Sequence, residues 1–250
     1  MAPGAPRRTG REFEALAAHA GSAYLRCSFT KGTDQEVSFL ADVVDTGPGT
    51  CIVDVGCGPG RHARALRERG STVIGVDASL PFLKAAGLGR WLRGDARALP
   101  LAADVADVVV CLCQGGFGLL GGDDENIAVA EMARVLRPGG RLVLSAFSAY
   151  FAVRFLEETD AFDAATGVNH ETAEVRDPQG HARSFDLWTT CFTPRELRQL
   201  VAGAGLVTEN LWSVTPGDYA DRPPDLDHPE WLMVATKPLA RSEGICPPPV

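Results

Sequence analysis

Asp54-Val55-Gly56-Cys57-Gly58-Pro59-Gly60 sets three glycines and a carboxylate between an apolar run, Cys51 to Val55, and a helix-forming stretch, Arg61 to Arg69. Glycines at 56, 58 and 60 permit left-handed dihedrals and carry no Cβ, so backbone N–H groups can lie against a small molecule at a strand's carboxyl end. That is the chemistry of a nucleotide-type cofactor pocket. A dinucleotide fingerprint needs Gly or Ala at the sixth position, where Arg61 stands, and no Gly-Lys-Ser or Gly-Lys-Thr follows to make a phosphate loop. Asp54 gains nothing beside a pyrophosphate and suits a ligand with positive charge, an ammonium or a sulfonium. Asp77 closes a second β-branched run, Ser71 to Val76, where a carboxylate accepts both hydroxyls of a ribose. Asp95, within Gly94-Asp95-Ala96, is a candidate acceptor for an adenine amine.

The elements that must hold these groups are legible from hydrophobic pattern. Strands are expected near 51–55, 72–76, 90–93, 107–112 and 141–147, with helices near 61–69, 80–86 and 123–136. Val108 to Leu112 is apolar without alternation, as in a central parallel strand buried on both faces. Gly139-Gly140 is expected to end the helix before the fifth strand as a C-cap. Thr193-Pro194-Arg195-Glu196 reads as the start of a helix running to about Ala204, and Leu206 to Val214 and Trp231 to Thr236 as two final antiparallel strands.

In this order VDVGCGPG, VIGVDAS, RGDARALPL, ADVVVCLC and LRPGGRLVLSAF resemble the class I S-adenosylmethionine-dependent methyltransferases, from about Cys51 to Phe147. The resemblance implies an α/β fold, a Rossmann-like doubly wound seven-stranded sheet of order 3-2-1-4-5-7-6 with its last strand antiparallel. It implies S-adenosylmethionine as cofactor. Gly56 and Gly58, with Asp54 and Cys57 in the same turn, would line the methionine part; Asp77 with Ala78 the ribose; Asp95 with Ala96 the adenine. Cys111, in the fourth strand, completes the expected cofactor set. The family's exocyclic-amine methylators carry Asn or Asp, then Pro-Pro and an aromatic, where this chain has Cys113-Gln114-Gly115-Gly116-Phe117-Gly118. That departure speaks against adenine-N6 and glutamine-amide acceptors.

Methyl transfer from a sulfonium is an in-line displacement whose main requirement is placement, with a general base helping where the acceptor must lose a proton. The expected reaction is transfer to an O or N nucleophile of a small-molecule acceptor; RNA methylation and non-catalytic cofactor binding are the alternatives. His170, followed by Glu171, is the candidate base, and a solvated loop histidine is the competing reading. Gln114 is the second catalytic candidate, its amide able to donate or accept, while Phe117 either faces the acceptor or fills the core. Tyr24 and Lys31 ahead of the first strand, and Tyr150 and Trp188 in the insertion, are candidate acceptor contacts; each can equally be ordinary packing.

The chain has 250 residues, 45% hydrophobic and 22% charged, with a formal net charge of −8, a surface that as a whole repels a nucleic-acid backbone. The arginines at 61, 64, 67 and 69 are expected on the solvated face of the first core helix. Seven cysteines without a C-x-x-C pair fit reduced thiols, with no metal site, and no stretch reads as a secretory signal or membrane span, so the expected compartment is the cytoplasm. One domain is expected: a helical lid over 1–46, a cofactor core over 47–147, an acceptor-side insertion over 148–190, a helix with strands over 191–237, and a disordered tail over 238–250. Within the insertion a helix is expected from Tyr150 to Asp160, then a polar stretch around Asn169, then a strand from Ala182 to Phe192.

Overall fold

The computed structural model describes residues 12–113, 117–121 and 124–239. Gln114, the expected flexible start over 1–10 and residues 240–250 of the expected tail lie outside the described residues.

Five parallel strands form the heart of the fold: β1 (Cys51–Val55), β2 (Thr72–Asp77), β3 (Arg90–Arg93), β4 (Ala106–Cys111) and β5 (Leu136–Phe147). Parallel neighbours cannot be joined by a hairpin, so helices make the crossings: α3 (Arg61–Glu68), α4 (Leu80–Ala85) and α5 (Asp124–Val135). After α7 (Pro194–Gly203), β9 (Val207–Val214) and β10 (Glu230–Thr236) complete a sheet of order β3-β2-β1-β4-β5-β10-β9, with β10 antiparallel to both neighbours. This is the expected order. Alternate residues of β4 serve opposite cores: Val109 and Cys111 pack with Met132 and Leu197, while Val108 and Val110 pack with Leu40 and Leu66. A strand so placed must be apolar at every position, which is why its sequence shows no alternation.

Two helices precede the sheet, α1 (Glu12–Ala20), which runs into a 3₁₀ turn over Gly21–Arg26, and α2 (Thr33–Val43). The amino end of α2 docks backbone to backbone on the loop between β9 and β10: a Cβ on Gly32 would meet the Gly217 Cα at 1.9 Å. The Gln35 side-chain amide donates to the Tyr219 carbonyl and accepts from the Tyr219 N–H, at 2.6 and 2.8 Å.

The insertion departs from expectation. The helix from Tyr150 stops early: α6 spans Ala149–Arg154, and the acidic Glu157, Glu158 and Asp160 that follow are disfavoured at a helix's negative carboxyl end. The polar stretch around Asn169 is a strand. β6 (Ala161–Asp163), β7 (Val168–Arg176) and β8 (Ala182–Thr190) form a separate antiparallel sheet, the Asp177 to Gly180 turn closing the β7–β8 hairpin. Its Phe185, Leu187 and Val175 pack on Leu16, Ala17, Ala20 and Phe82, which fixes the sheet over α1 and α4. Gly139-Gly140 is no helix cap either. Leu136 already pairs with Ala106, and Gly139, at φ +83°, sits where the β4–β5 register shifts and donates to the Lys237 carbonyl.

Candidate active site

The glycine turn is built by backbone. Gly56, Gly58 and Gly60 have φ of +67°, +52° and +75°, a region closed to most side chains. The N–H of Gly58 donates to Asp77 Oδ2 at 2.8 Å and that of Ser79 to Oδ1 at 2.7 Å, so the carboxylate ending β2 is pinned between the turn and the start of α4. Burial raises the Asp77 pKa and these two N–H bonds oppose the rise. A Cβ on Gly58 would find open space, whereas one on Gly60 would meet the Trp91 ring at 2.5 Å. The first glycine faces a cavity and the second packs.

That cavity runs along the carboxyl edge of the sheet. Gly56, Gly58, Asp77, Ala78, Asp95 and Ala96 line one side, as the sequence led us to expect. Phe13 and Leu16 of α1 with Phe82 of α4 give it an apolar roof; Tyr24, Cys113 and the β8 run Phe185 to Trp188 form the far wall. Among the described residues no Lys or Arg lines it, and three carboxylates, Asp77, Asp95 and Asp186, do. Such a cavity suits a cationic ligand and opposes a polyphosphate. These features fit S-adenosylmethionine: a bare turn open to the cavity, a fixed carboxylate ending β2, an apolar slot for a base and, among the described residues, a wall without cations. Asp95 lines the cavity with both oxygens already engaged by Arg97, at 2.9 and 2.6 Å, and Arg97 also bonds Asp124. Its remaining lone pairs are what an adenine amine could use.

Several expected contacts lie elsewhere. Asp54 is only 2% exposed, behind the turn, with Oδ2 unpartnered, and burial lifts its pKa to about 7. It acts on the cavity through its field alone. Cys57 turns away toward the Gly75 side of β2, and Cys111 is buried in the core because β4 continues to it with both faces covered. Cys113, two residues on and missed in the sequence, is the thiol on the cavity wall. Phe117 stacks on Phe192 at 5.0 Å inside the core, Lys31 is exposed away from the cavity, and Tyr150 borders a separate cleft beside α6. Tyr24 and Trp188 do line the cavity. His170 stands opposite Trp188 in the β7–β8 register, its ring stacked on the indole at 4.6 Å and its Nε2 3.2 Å from Asp186 Oδ1. It is therefore a strand residue tied to two wall residues.

The largest surprise is a buried polar cluster behind the turn. Arg61 was expected on a solvated face; instead its Nη1 bonds Glu36 Oε2 at 2.5 Å and Thr33 Oγ1 at 2.8 Å, and its Nη2 lies 2.7 Å from Cys113 Sγ. His62 bonds the same Glu36 oxygen at 2.7 Å, and the Gly217 N–H donates to Oε1 at 2.8 Å. Burial alone would raise the Glu36 pKa; the His62 bond and the Arg61 charge outweigh it and hold the carboxyl below its usual value. Burial lowers the His62 pKa. Glu36, His62 and Cys113 bring a carboxylate, an imidazole and a thiol within 4.8 Å of one another, a set able to hold a metal ion, yet the Arg61 guanidinium bonded to two of the three already supplies the positive charge. No sequence spacing links α2, α3, β4 and the β9–β10 loop, so only the fold reveals the cluster.

Comparison with known proteins agrees with this geometry. Residues 53–144 match the methyltransferase domain family. A demethylmenaquinone methyltransferase of Renibacterium salmoninarum is 36% identical over 113 residues, 44% of this chain and 46% of that protein, so the chain spans about half the length of the curated relatives it matches. Among solved structures, the CcbJ methyltransferase of Streptomyces caelestis superposes with a TM-score of 0.67 at 23% identity, over 83% of this chain and 89% of the other. CalS10, an amino pentose methyltransferase of Micromonospora echinaspora solved with S-adenosylmethionine bound, gives 0.60 at 26% identity, over 82% and 91%. Among the described residues no helix is long and apolar enough to cross a membrane. With the strand order, the glycine turn and these likenesses together, the chain carries a methyltransferase domain over residues 53–144 on the fold of the class I S-adenosylmethionine-dependent methyltransferases.

Proposed function

We propose that this protein transfers a methyl group from S-adenosylmethionine to an O or N nucleophile of a small-molecule acceptor. The observation that carries the reading is one cavity lined on one side by the glycine turn and Asp77 and on the other by Tyr24, Cys113 and the β8 run Phe185 to Trp188. Bound there, the sulfonium supplies an electrophilic methyl group. The chain's own residues do the rest. Asp77 and Asp95 hold the nucleoside, the apolar roof of Phe13, Leu16 and Phe82 excludes water, and Trp188 with Asp186 positions the acceptor. His170, oriented by Asp186 of the β8 wall, is the proton acceptor for a hydroxyl nucleophile.

A relative matching 44% of the chain and a structural neighbour covering 82% of it are named for demethylmenaquinone and an amino pentose, which supports a small organic acceptor and leaves the attacked atom open. The test is calorimetric binding of S-adenosylmethionine followed by incubation with methyl-labelled cofactor and a small-molecule extract. Labelled metabolites are expected. Label confined to RNA, with binding that weakens steeply as salt rises, would replace the reading with RNA methylation. Cofactor bound but label transferred to nothing in any pool would leave a binding protein.

A further inference from the structure

β8 lines the cavity with four residues in succession, Phe185, Asp186, Leu187 and Trp188. Successive side chains of a strand point to opposite faces, so a cavity touched by four in a row meets the strand along its edge. Both faces are already occupied. Phe185 and Leu187 pack against α1 and α4 on one; on the other, Asp186 Oδ1 lies 3.2 Å from His170 Nε2 and accepts from the Thr172 hydroxyl at 3.1 Å. β8 is also the outer strand of the β6-β7-β8 sheet, so its far edge carries main-chain groups that no strand pairs.

Hydrogen-bond parity says which residues aim at that edge. In an antiparallel ladder, residues alternate between bonding the neighbouring strand and pointing away from it. Before β8 the Asp177 N–H bonds the His181 carbonyl, and after it the Cys191 N–H bonds the Gly167 carbonyl, so the odd-numbered residues of β8 face β7. The Thr190 N–H, of even number, turns outward to the Gly118 carbonyl at 2.6 Å. Asp186 has the same parity. Its N–H and C=O therefore leave the sheet on the cavity side, and among the described residues neither has a hydrogen-bond partner.

We propose, on the reading of the site as a methyltransferase, that the acceptor carries an α-aminoacyl amide and that this unit pairs with the Asp186 main chain, adding to the open edge of β8. An N–H and a C=O on either side of one carbon repeat the strand's own spacing, so such a unit closes both bonds at once, whereas a lone hydroxyl fills one of them. The unit must be a neutral amide. Among the described residues no Lys or Arg lines the cavity to receive a free carboxylate or a phosphate, and the Asp186 carboxylate repels one. Phe185, Leu187 and Trp188 border the pairing position, so main chain aligns the acceptor and side chains choose among such amides.

The test offers the protein methyl-labelled S-adenosylmethionine with the N-acetyl methylamides of serine, tyrosine and lysine, while calorimetry follows cofactor affinity separately. Each amide is matched with its free amino acid and with a simple alcohol, phenol or amine bearing the same nucleophile. At least one amide should be labelled with a kcat/KM about tenfold above both counterparts, as two neutral hydrogen bonds warrant. In hydrogen exchange of the wild-type protein the Asp186 amide should exchange freely and be slowed about tenfold by that amide together with the demethylated cofactor. The inward amides of Phe185 and Leu187 should be protected throughout. Asp186→Pro removes the outward N–H at an edge that tolerates proline, and Asp186→Ala keeps it; the proline variant should show the higher acceptor KM, by about fivefold, with equal affinity for S-adenosylmethionine. Ser184→Pro, of the same parity but off the cavity lining, should leave that KM unchanged. Equal labelling of amides and counterparts, no label on any amide despite bound cofactor, equal KM in the two Asp186 variants, or an Asp186 amide already protected in the free protein overturns the proposal. Failure of the cofactor to bind overturns the methyltransferase reading instead.

Discussion

The two walls of the cavity are made of different material. On the cofactor side the decisive groups are main chain, or side chains locked to it: Asp77 is held by two N–H donors and the turn by three left-handed glycines. On the acceptor side the wall is an edge strand, β8, whose residues Asp186 and Trp188 are held by each other's neighbours across a small antiparallel sheet. A backbone-built wall admits one ligand shape; a side-chain wall is re-cut by a few substitutions. The difference fits a chain that shares its cofactor half with many relatives and whose insertion, on the function proposed above, meets the acceptor.

The contrast can be broken most severely at the support behind the turn. Glu36→Ala leaves Arg61 and His62 buried without their carboxylate and should cost about 3–5 kcal/mol of stability, measured by urea unfolding. Asp186→Ala on the exposed wall should change stability by less than about 0.5 kcal/mol. Equal costs at the two positions would erase the distinction.

Ligand binding gives the next test. Asp77→Ala should weaken S-adenosylmethionine binding by about 1–3 kcal/mol in calorimetry. Trp188→Ala, on the opposite wall, should leave that affinity within about 0.5 kcal/mol. A large loss at Trp188 would show that the cofactor leans on both walls.

The glycines sharpen the picture within the turn itself. Gly60→Ala must displace the Trp91 ring and hold φ +75°, and should destabilise by about 1–3 kcal/mol through overpacking and strain. Gly58→Ala meets nothing, so its cost in stability should be the smaller while its Cβ intrudes on the cofactor. Reversal of that order would mean Gly58 is structural.

The subtlest effect is electrostatic. Asp54 has a folded pKa raised to about 7 from an unfolded value near 3.9, so the native state holds the extra proton between those limits and stability falls as pH rises through them. Asp54→Asn should therefore gain stability relative to the wild type from about pH 4 to about pH 7 and then hold a constant difference. A difference independent of pH would show that Asp54 is ionised in the native state.

What the sequence disclosed follows this same division. The seven-stranded order, the turn and the cavity positions of Gly56, Gly58, Asp77, Ala78, Asp95 and Ala96 were all legible, because a βαβ unit ties them to local patterns of glycine and apolar runs. The cavity positions of Tyr24, from its place ahead of the first strand, and of Trp188, from its aromatic character in the insertion, were legible as well. The β7 strand escaped notice because VNHETAEVR is half polar on a sheet with one face to solvent. Cys111 was favoured over Cys113 since strand polarity does not say at which residue a chain leaves the sheet. Arg61 was read as surface charge and Glu36 was not singled out, because the burial of each is settled by elements far apart in sequence, which no window of residues can register.

The backbone contact of Gly32 with Gly217 carries one more consequence. The early helix α2 carries a glutamate whose resting place includes the Gly217 N–H, a group far along the chain from it. During synthesis that segment must wait, its carboxylate still hydrated, until the loop between β9 and β10 has emerged, so the support behind the glycine turn is completed late. A nascent chain stalled before β9 lacks one end of this latch and should gain full cofactor affinity only once that loop is made.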